Sequence, residues 1–257
     1  MGKANMVHRR ELQDYLADRL DVAGMSDYCP NGLQVEGRDH IGCLVTGVTA
    51  SARLLKAALE AEADAVLVHH GFFWKGEPAV VTGMKAERLR LLLRNDVNLF
   101  AYHLPLDVDQ HCGNNACLVE KLGVASYEAV AAGGVPGLLW YGQLDSPVRP
   151  DAIADRLRTG LQREPVWVDG GPETIRRVAW CSGGGQRFLT EAAALGADAY
   201  VSGEISEPTA HEARELGLHY FAAGHHATER DGVQALGAEL AARFGIRHRF
   251  IDDPNPA

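Results

Sequence analysis

The sequence is short of the features that mark several common function classes. Its five cysteines (Cys29, Cys43, Cys112, Cys117 and Cys181) are odd in number, scattered, and nowhere spaced C-x-x-C. That argues against a disulfide framework and a thiolate zinc site, and it fits a reducing cytoplasm. Basic residues are in deficit, with 25 Lys and Arg against 34 Asp and Glu for a net charge of −9. Non-specific binding of nucleic acid requires a basic field that neutralises phosphates, so neither that activity nor attachment to an anionic membrane is expected. No apolar run approaches the roughly 18 residues of a membrane span. The opening Met-Gly-Lys-Ala-Asn-Met is not followed by the apolar stretch of a secretory leader and has Met where myristoylation wants Ser or Thr, so neither is expected. A dinucleotide fingerprint and a P-loop lysine are lacking too, and no organic cofactor is expected.

What is present is an ordinary folded composition: 257 residues, 46% hydrophobic and 23% charged, enough for one large α/β domain or two smaller ones. Two stretches follow one plan. GCLVTGVTASARLLKAALEAEADAVLVHHG (42–71) and RVAWCSGGGQRFLTEAAALGADAYVSGE (177–204) each read as apolar strand, turn of small residues, helix, Ala-Asp-Ala and second strand. Further on, LFAYH (99–103) matches FAAGH (221–225) at an offset of 122, which also sets Asp107 opposite Glu229. Strands alternating with helices imply parallel pairing through right-handed crossovers. The expectation is an α/β protein with two similar three-layer α/β/α lobes arising from an internal duplication. The Gly/Pro-richer stretch 131–137 is taken as the boundary, giving a first lobe over 1–130 and a second over 131–224. Ile153, Leu157 and Leu161 form one apolar helical stripe, and Val233, Leu236, Leu240 and Phe244 another.

The chemistry gathers around histidine. His69 and His70 follow the apolar run 65–68 and precede Gly71, so they sit at the carboxyl end of a buried strand, where open α/β sheets collect their ligands. Gly71 lets the chain turn so that both imidazoles face one centre. Taken alone, the pair reads equally as metal ligands or as a hydrogen-bonded strand end. His103 and Asp107, in HLPLD, and His225 and Glu229, in GHHATERD, repeat a histidine with a carboxylate four residues on. One such spacing is more often a surface pair. Two in equivalent places, downstream of a histidine pair, point to metal, because borderline divalent cations favour imidazole mixed with carboxylate.

His69, His70, Asp107, His225 and Glu229 thus form a five-ligand set, with His103 and His226 as auxiliaries. Five exceed the three protein ligands and water of one catalytic zinc, so two ions bridged by a carboxylate are expected. Ions about 3.5–4 Å apart would lower the pKa of a bridging water and stabilise an anionic intermediate. Zinc, iron, manganese, cobalt and nickel all suit this donor set.

Several other residues are open to more than one reading. Gly183-Gly184-Gly185, between a strand and a helix, is either a tight turn or a phosphate cradle. Glu204, in the place equivalent to the histidine pair, is either a proton relay, a support for a ligand, or a solvated carboxylate. Phe72, Phe73 and Trp74 either wall a substrate pocket or make a core or subunit contact. Thr228 is taken as a helix cap, His211 and His219 as surface residues, and Cys181 as a small buried hydrophobe.

DYCPNGLQVEG (27–37), VHHGFFWKG (68–76), HLPLD (103–107), GNNA (113–116), SGEISE (202–207) and GHHATER (224–230) together resemble the signatures of the type 2 GTP cyclohydrolase I homologues. These are dinuclear-metal hexameric proteins related to the yeast Ngg-interacting factor, and the likeness is strongest to the enterobacterial members. It covers nearly the whole chain. The resemblance implies a two-metal centre at His69, His70, Asp107, His225 and Glu229, two intertwined α/β/α lobes, and a homohexameric ring. It further implies that the stretch 225–257 packs back on the first lobe, since His225 and Glu229 must reach His69.

The function expected is that of a metal-dependent, cyclohydrolase-like hydrolase acting on a nucleotide or related heterocycle through a metal-bridging hydroxide. Asp107 or Glu229 would bridge the ions, and His103 or Glu204 would relay protons. The competing reading is a metal-handling or scaffold protein without turnover, its ions being cargo or structural staples.

Overall fold

The structure is a computed structural model that describes residues 5–257. The chain begins with β1 (Val7–His8) and α1 (Arg9–Arg19), and continues through β2 (Gly32–Val35), β3 (His40–Ile41) and β4 (Cys43–Thr49). α2 (Ala52–Glu60) starts where the Ser51 hydroxyl accepts the Leu54 amide at 3.0 Å, which satisfies one of the orphan donors of a first helical turn. β5 (Ala65–His70), α3 (Gly83–Asn95), β6 (Asn98–Ala101), α4 (Leu104–Val108) and α5 (Asn114–Leu122) follow. Next come β7 (Val124–Ala132), β8 (Val135–Val148), α6 (Pro150–Leu161), β9 (Val166–Val168) and β10 (Ile175–Cys181). The remainder is α7 (Leu189–Ala194), β11 (Ala199–Ser202), α8 (Glu207–Leu216), β12 (His219–Ala222), α9 (His225–Phe244) and β13 (Arg247–Phe250). The class is mixed α/β, as the alternation of strand and helix implies. None of the helices among the described residues is long and apolar enough to cross a membrane.

Two compact units emerge, one running through Cys112 and resuming over Arg230–Asp253, the other comprising Gly113–Glu229 and Pro254–Ala257. The sequence placed the first division near residue 131, and the physical reason for the difference is local. Gly133 and Gly134, with φ of 58° and 81°, form the tip of the β7–β8 hairpin rather than a linker. Glycine tolerates these left-handed angles without penalty. On the near side of that hairpin, Leu118, Leu122 and Val124 already pack with Trp140, Trp180 and Phe221 in the second unit's core.

In the first unit the sheet order is β13-β4-β5-β6-β2, parallel throughout except for β2, which runs antiparallel beside β6. Successive residues of these strands enter two different cores. Leu44, Ala65, Leu67 and Phe100 pack with Leu12 and Leu16 of α1 and with Val233, Leu236 and Leu240 of α9. Val45, Val66, Val68 and Leu99 pack instead with Leu54, Leu55 and Ala58 of α2 and Leu92 of α3. Helices therefore cover both faces of the sheet, and a strand buried on both faces must be continuously apolar, as Ala65 to Val68 is. Truncating one such side chain, Leu44 for example, carries a cost of about 2–5 kcal/mol.

In the second unit the order is β7-β8-β10-β11-β12-β9, with β10, β11 and β12 parallel and the others antiparallel. The Ile153, Leu157 and Leu161 stripe of α6 is buried in its core as the spacing predicts. Both units thus have three successive parallel strands and an earlier strand lying antiparallel against the third.

The Ala-Asp-Ala landmark has a structural task in each. Asp64 Oδ2 accepts the amides of Gly42 and Cys43 at 2.8 and 2.9 Å. Asp198 Oδ2 likewise accepts those of Arg176 and Arg177, both at 2.8 Å. Each aspartate latches the amino-terminal end of one parallel strand to its neighbour, so the opposite ends of the strands are left for chemistry.

Candidate metal centre

In the first unit, His69 and His70 end β5, whose pairing sets Thr49 of β4 opposite His70. His69 is fully buried, and its Nδ1 lies 2.9 Å from the Tyr102 carbonyl. A carbonyl only accepts, so Nδ1 carries a proton, and in the neutral tautomer that places the ring's lone pair on Nε2. That Nε2 is 3.4 Å from Oδ1 of Asp107, a buried carboxylate in α4. The Nδ1 of His70 meets the Thr49 hydroxyl at 3.3 Å.

Gly71 serves the pair by its lack of a side chain rather than by an unusual backbone angle. A Cβ there would fall 2.0 Å from Oε1 of Gln34, whose amide occupies the space.

His103, just before α4, joins the same cluster. His69, His70 and His103 each offer a ring nitrogen, and these atoms lie within 4.8 Å of one another. The residue that holds His103 is Asp27, which the sequence reading did not single out. Its Oδ1 is 3.0 Å from His103 Nδ1, while its other oxygen accepts the Leu104 amide at 3.0 Å and the Asn31 side chain at 2.9 Å. Burial opposes the charge on Asp27, yet the donors from His103, Asn31 and Leu104 prevail and its pKa is pushed down to about 2. The hydroxyl of Tyr28 lies 3.3 Å from His103 Nε2. Nearby Cys29 is no thiolate, because burial and the Asp27 charge push its pKa up to about 12.

In the second unit, His225 is the first residue of α9, following Gly224 at a φ of 97°. Its Nδ1 is 2.7 Å from Oε1 of Glu204, and its Nε2 is 3.3 Å from Oε1 of Glu229. Burial works against protonating His225, but Glu229 and Glu204 raise its pKa to about 9. Two carboxylates around one imidazole create a place that stabilises positive charge.

Gly183, at a φ of 61°, packs directly against this pair: a Cβ there would come within 2.1 Å of Glu229 Oε1 and 3.1 Å of His225 Nε2. Its amide donates to the Thr228 hydroxyl at 3.0 Å. The Gly-Gly-Gly stretch is accordingly a turn fitted to Glu229, with Gly183's donor committed to Thr228. Thr228 itself lies inside α9 and bonds back to the Gly224 and His225 carbonyls at 2.9 Å, so it is not the N-cap.

Across both units the histidines share one arrangement. The Nδ1 atoms of His69, His70, His103 and His225 each meet an oxygen of the fold, from Tyr102, Thr49, Asp27 and Glu204 respectively. Outer partners of this kind fix ring orientation and tautomer where histidine binds a metal through Nε2. In each unit a buried carboxylate stands beside a histidine Nε2, Asp107 by His69 and Glu229 by His225, and imidazole with carboxylate is the donor chemistry a borderline divalent cation takes.

Among the other residues singled out in the sequence, His226 is buried but belongs to none of the close ligand groups among the described residues. His211 is exposed and pairs with Glu207, as expected. His219 is not at the surface: it opens β12, is 2% exposed, and holds the Pro172 carbonyl at 2.8 Å through Nε2. Phe72 belongs to the core, whereas Trp74 is partly exposed beside His70 and His103.

Comparison with known proteins places these residues in context. The family model described as Duf34/NIF3 (NGG1p interacting factor 3) matches residues 7–256. A protein of Pseudomonas aeruginosa named GTP cyclohydrolase 1 type 2 homolog is 55% identical over 242 residues, covering 94% of this chain and 96% of the relative. The Escherichia coli K12 protein of the same name is 50% identical over 248 residues, covering 96% of this chain and 98% of its own. Among solved structures, the protein ybgI, described as of unknown function, superposes with a TM-score of 0.93 at 49% identity, over 98% of this chain and 100% of that one.

Proposed function

The chain belongs to the Duf34/NIF3 (NGG1p interacting factor 3) family, and on that premise we propose that it holds two divalent metal ions and hydrolyses a nucleotide or related heterocycle. The observation that carries this reading is the common anchoring of the His69, His70 and His225 imidazoles by Nδ1, which leaves their Nε2 atoms to a cation. His69, His70, Asp107, His225 and Glu229 are the ligands proposed, with iron, zinc, manganese, cobalt or nickel as occupants. The nucleotide class is supported by the name shared by the relatives, GTP cyclohydrolase 1 type 2 homolog.

Bound there, a metal pair would acidify a water and stabilise negative charge developing on the substrate. The chain's own residues have separate tasks. His103 is held in orientation by Asp27 at Nδ1, which turns its Nε2 towards the Tyr28 hydroxyl and suits it to pass a proton there. Glu204 keeps His225 turned by its hold on Nδ1, which favours a positioning role over proton relay. A homohexameric ring in the cytoplasm completes the proposal, and light scattering on the purified protein tests the assembly.

The decisive test incubates metal-loaded protein with GTP and a panel of nucleotides beside a His69→Ala/His70→Ala control. Turnover that the control lacks is expected. Equal rates in both would defeat the hydrolase and leave metal handling as the better account.

A further inference from the structure

Seven large aromatic rings in this chain are fully buried: Trp140, Trp180, Tyr102, Tyr200, Tyr220, Phe100 and Phe221. Tyr28, Tyr127 and Trp167 are exposed, at 50%, 46% and 40%, and of these Tyr28 is the one beside the imidazole cluster, next to the partly covered Trp74. The two sit on separate loops and meet each other, with ring centroids 5.7 Å apart and planes inclined by 32°. Both stand edge-on to His103, Tyr28 at 4.8 Å and 74°, Trp74 at 5.2 Å and 89°. Trp74 also lies 5.8 Å from His70.

The pair is held in place. The Lys75 amide donates to the Tyr28 carbonyl at 2.8 Å and ties the two loops together. Asp27 accepts the Tyr28 amide at 2.6 Å, and the Tyr28 hydroxyl is engaged by His103. Tyr28 is thus a fixed aromatic ring left half in water at the edge of the imidazole cluster. An apolar wall with a few convergent polar groups at one edge is the composition of a small-molecule site, and here the polar edge is the imidazole cluster. Phe73 does not share the role, since it packs against the core with Lys85 over its ring.

We propose that Tyr28 and Trp74 form the stacking surface for the planar heterocyclic ring of the substrate, seating that ring beside His70 and His103. This deepens the hydrolase reading by naming what recognises the ring, yet it demands only binding. Stacking of a base on such side chains is sequence-tolerant and usually changes affinity by about tenfold or more on removal.

The test is calorimetric titration of the full chain, metal-loaded and chelator-treated, with guanosine 5′-monophosphate as ring-bearing probe and ribose 5-phosphate as ringless control. Tyr28→Ala and Trp74→Ala are each expected to weaken the nucleotide at least tenfold and to leave the sugar phosphate unchanged. Trp74→Leu, which keeps apolar bulk without an aromatic face, is expected to lose as much as Trp74→Ala. Tyr28→Phe is expected to stay within twofold of the parent, and elemental analysis to give the parent's metal content in every variant. Alanine variants that bind the nucleotide as the parent does would overturn the proposal. A Tyr28→Phe loss equal to that of Tyr28→Ala would do so too, as would a parent that binds the nucleotide no better than the sugar phosphate. Ring-dependent binding with no turnover of any nucleotide would sink the hydrolase reading and leave the stacking surface standing.

Discussion

The carboxylate of Glu204 lies 2.7 Å from Nδ1 of His225, and this contact decides that Nε2 is the nitrogen facing Glu229. Glu204 is 42% exposed at its side chain, so its contact is weak as a source of stability but strong as a constraint on a ring. Glu204→Ala is expected to weaken metal retention by about 10–100-fold while leaving thermal unfolding of the metal-free protein nearly unchanged. Competition with a graded series of chelators measures the first, and calorimetry the second. Unchanged retention would remove Glu204 from the centre.

Neighbouring glycines in one turn are expected to behave oppositely. At Gly183 an added Cβ meets Glu229 Oε1 at 2.1 Å and the backbone has a φ of 61°, whereas at Gly184 the nearest atoms are 3.8 Å away. Gly183→Ala carries about 1–2 kcal/mol from its left-handed backbone alone, and it displaces Glu229 as well. Gly184→Ala is expected to stay within about 0.5 kcal/mol of the parent. Urea unfolding and metal content of the two variants, measured side by side, decide the matter; equal effects would contradict the packing described.

Asp27 gives the stability curve a sign at low pH. Its folded pKa of about 2 lies below the roughly 3.9 of an unfolded aspartate. The carboxylate therefore contributes roughly 2–3 kcal/mol that is complete above about pH 4 and lost as pH falls towards 2. Asp27→Ala is expected to flatten this part of the curve and to lower stability at neutral pH by a similar amount. Urea midpoints collected between pH 2 and 6 for both proteins provide the check, and parallel curves would refute it.

The two aspartate latches are expected to be purely structural. Asp64→Ala and Asp198→Ala each strand a pair of backbone amides and should cost about 1–3 kcal/mol. Metal retention should not change in either. A variant that folds normally but loses metal would show that the latch reaches the centre after all.

The fold class and the histidine pair were legible because both rest on pattern. Continuous apolar strands, helices at regular intervals and a polar pair at a strand end are written locally. Asp27 was not legible, since it sits in an irregular loop and acts on His103 from 76 residues away. It opens the stretch 27–37 that shares in the family resemblance, but that stretch does not tell which side chain Asp27 holds. The hairpin at 131–137 was missed for a related reason: Gly and Pro mark hairpin turns and linkers alike, and only the pairing of β7 with β8 separates them. His219 misled because a histidine leaving a helix looks exposed, and its burial follows from opening the strand β12. The triple glycine read as a tight turn or a phosphate cradle, and neither reading showed that Glu229 was what it packed against.

Asp64 and Asp198 hold the strands β5 and β11 at their starts, while His69 and His70 end β5 and Glu204 follows β11. Structural upkeep and reactive groups are thereby assigned to opposite ends of the same strands. A lineage that inherits this arrangement can exchange the residues beyond the strand ends, and with them the compound recognised, without renegotiating how the sheet is assembled. Divergence of activity within a constant scaffold is what such a separation permits.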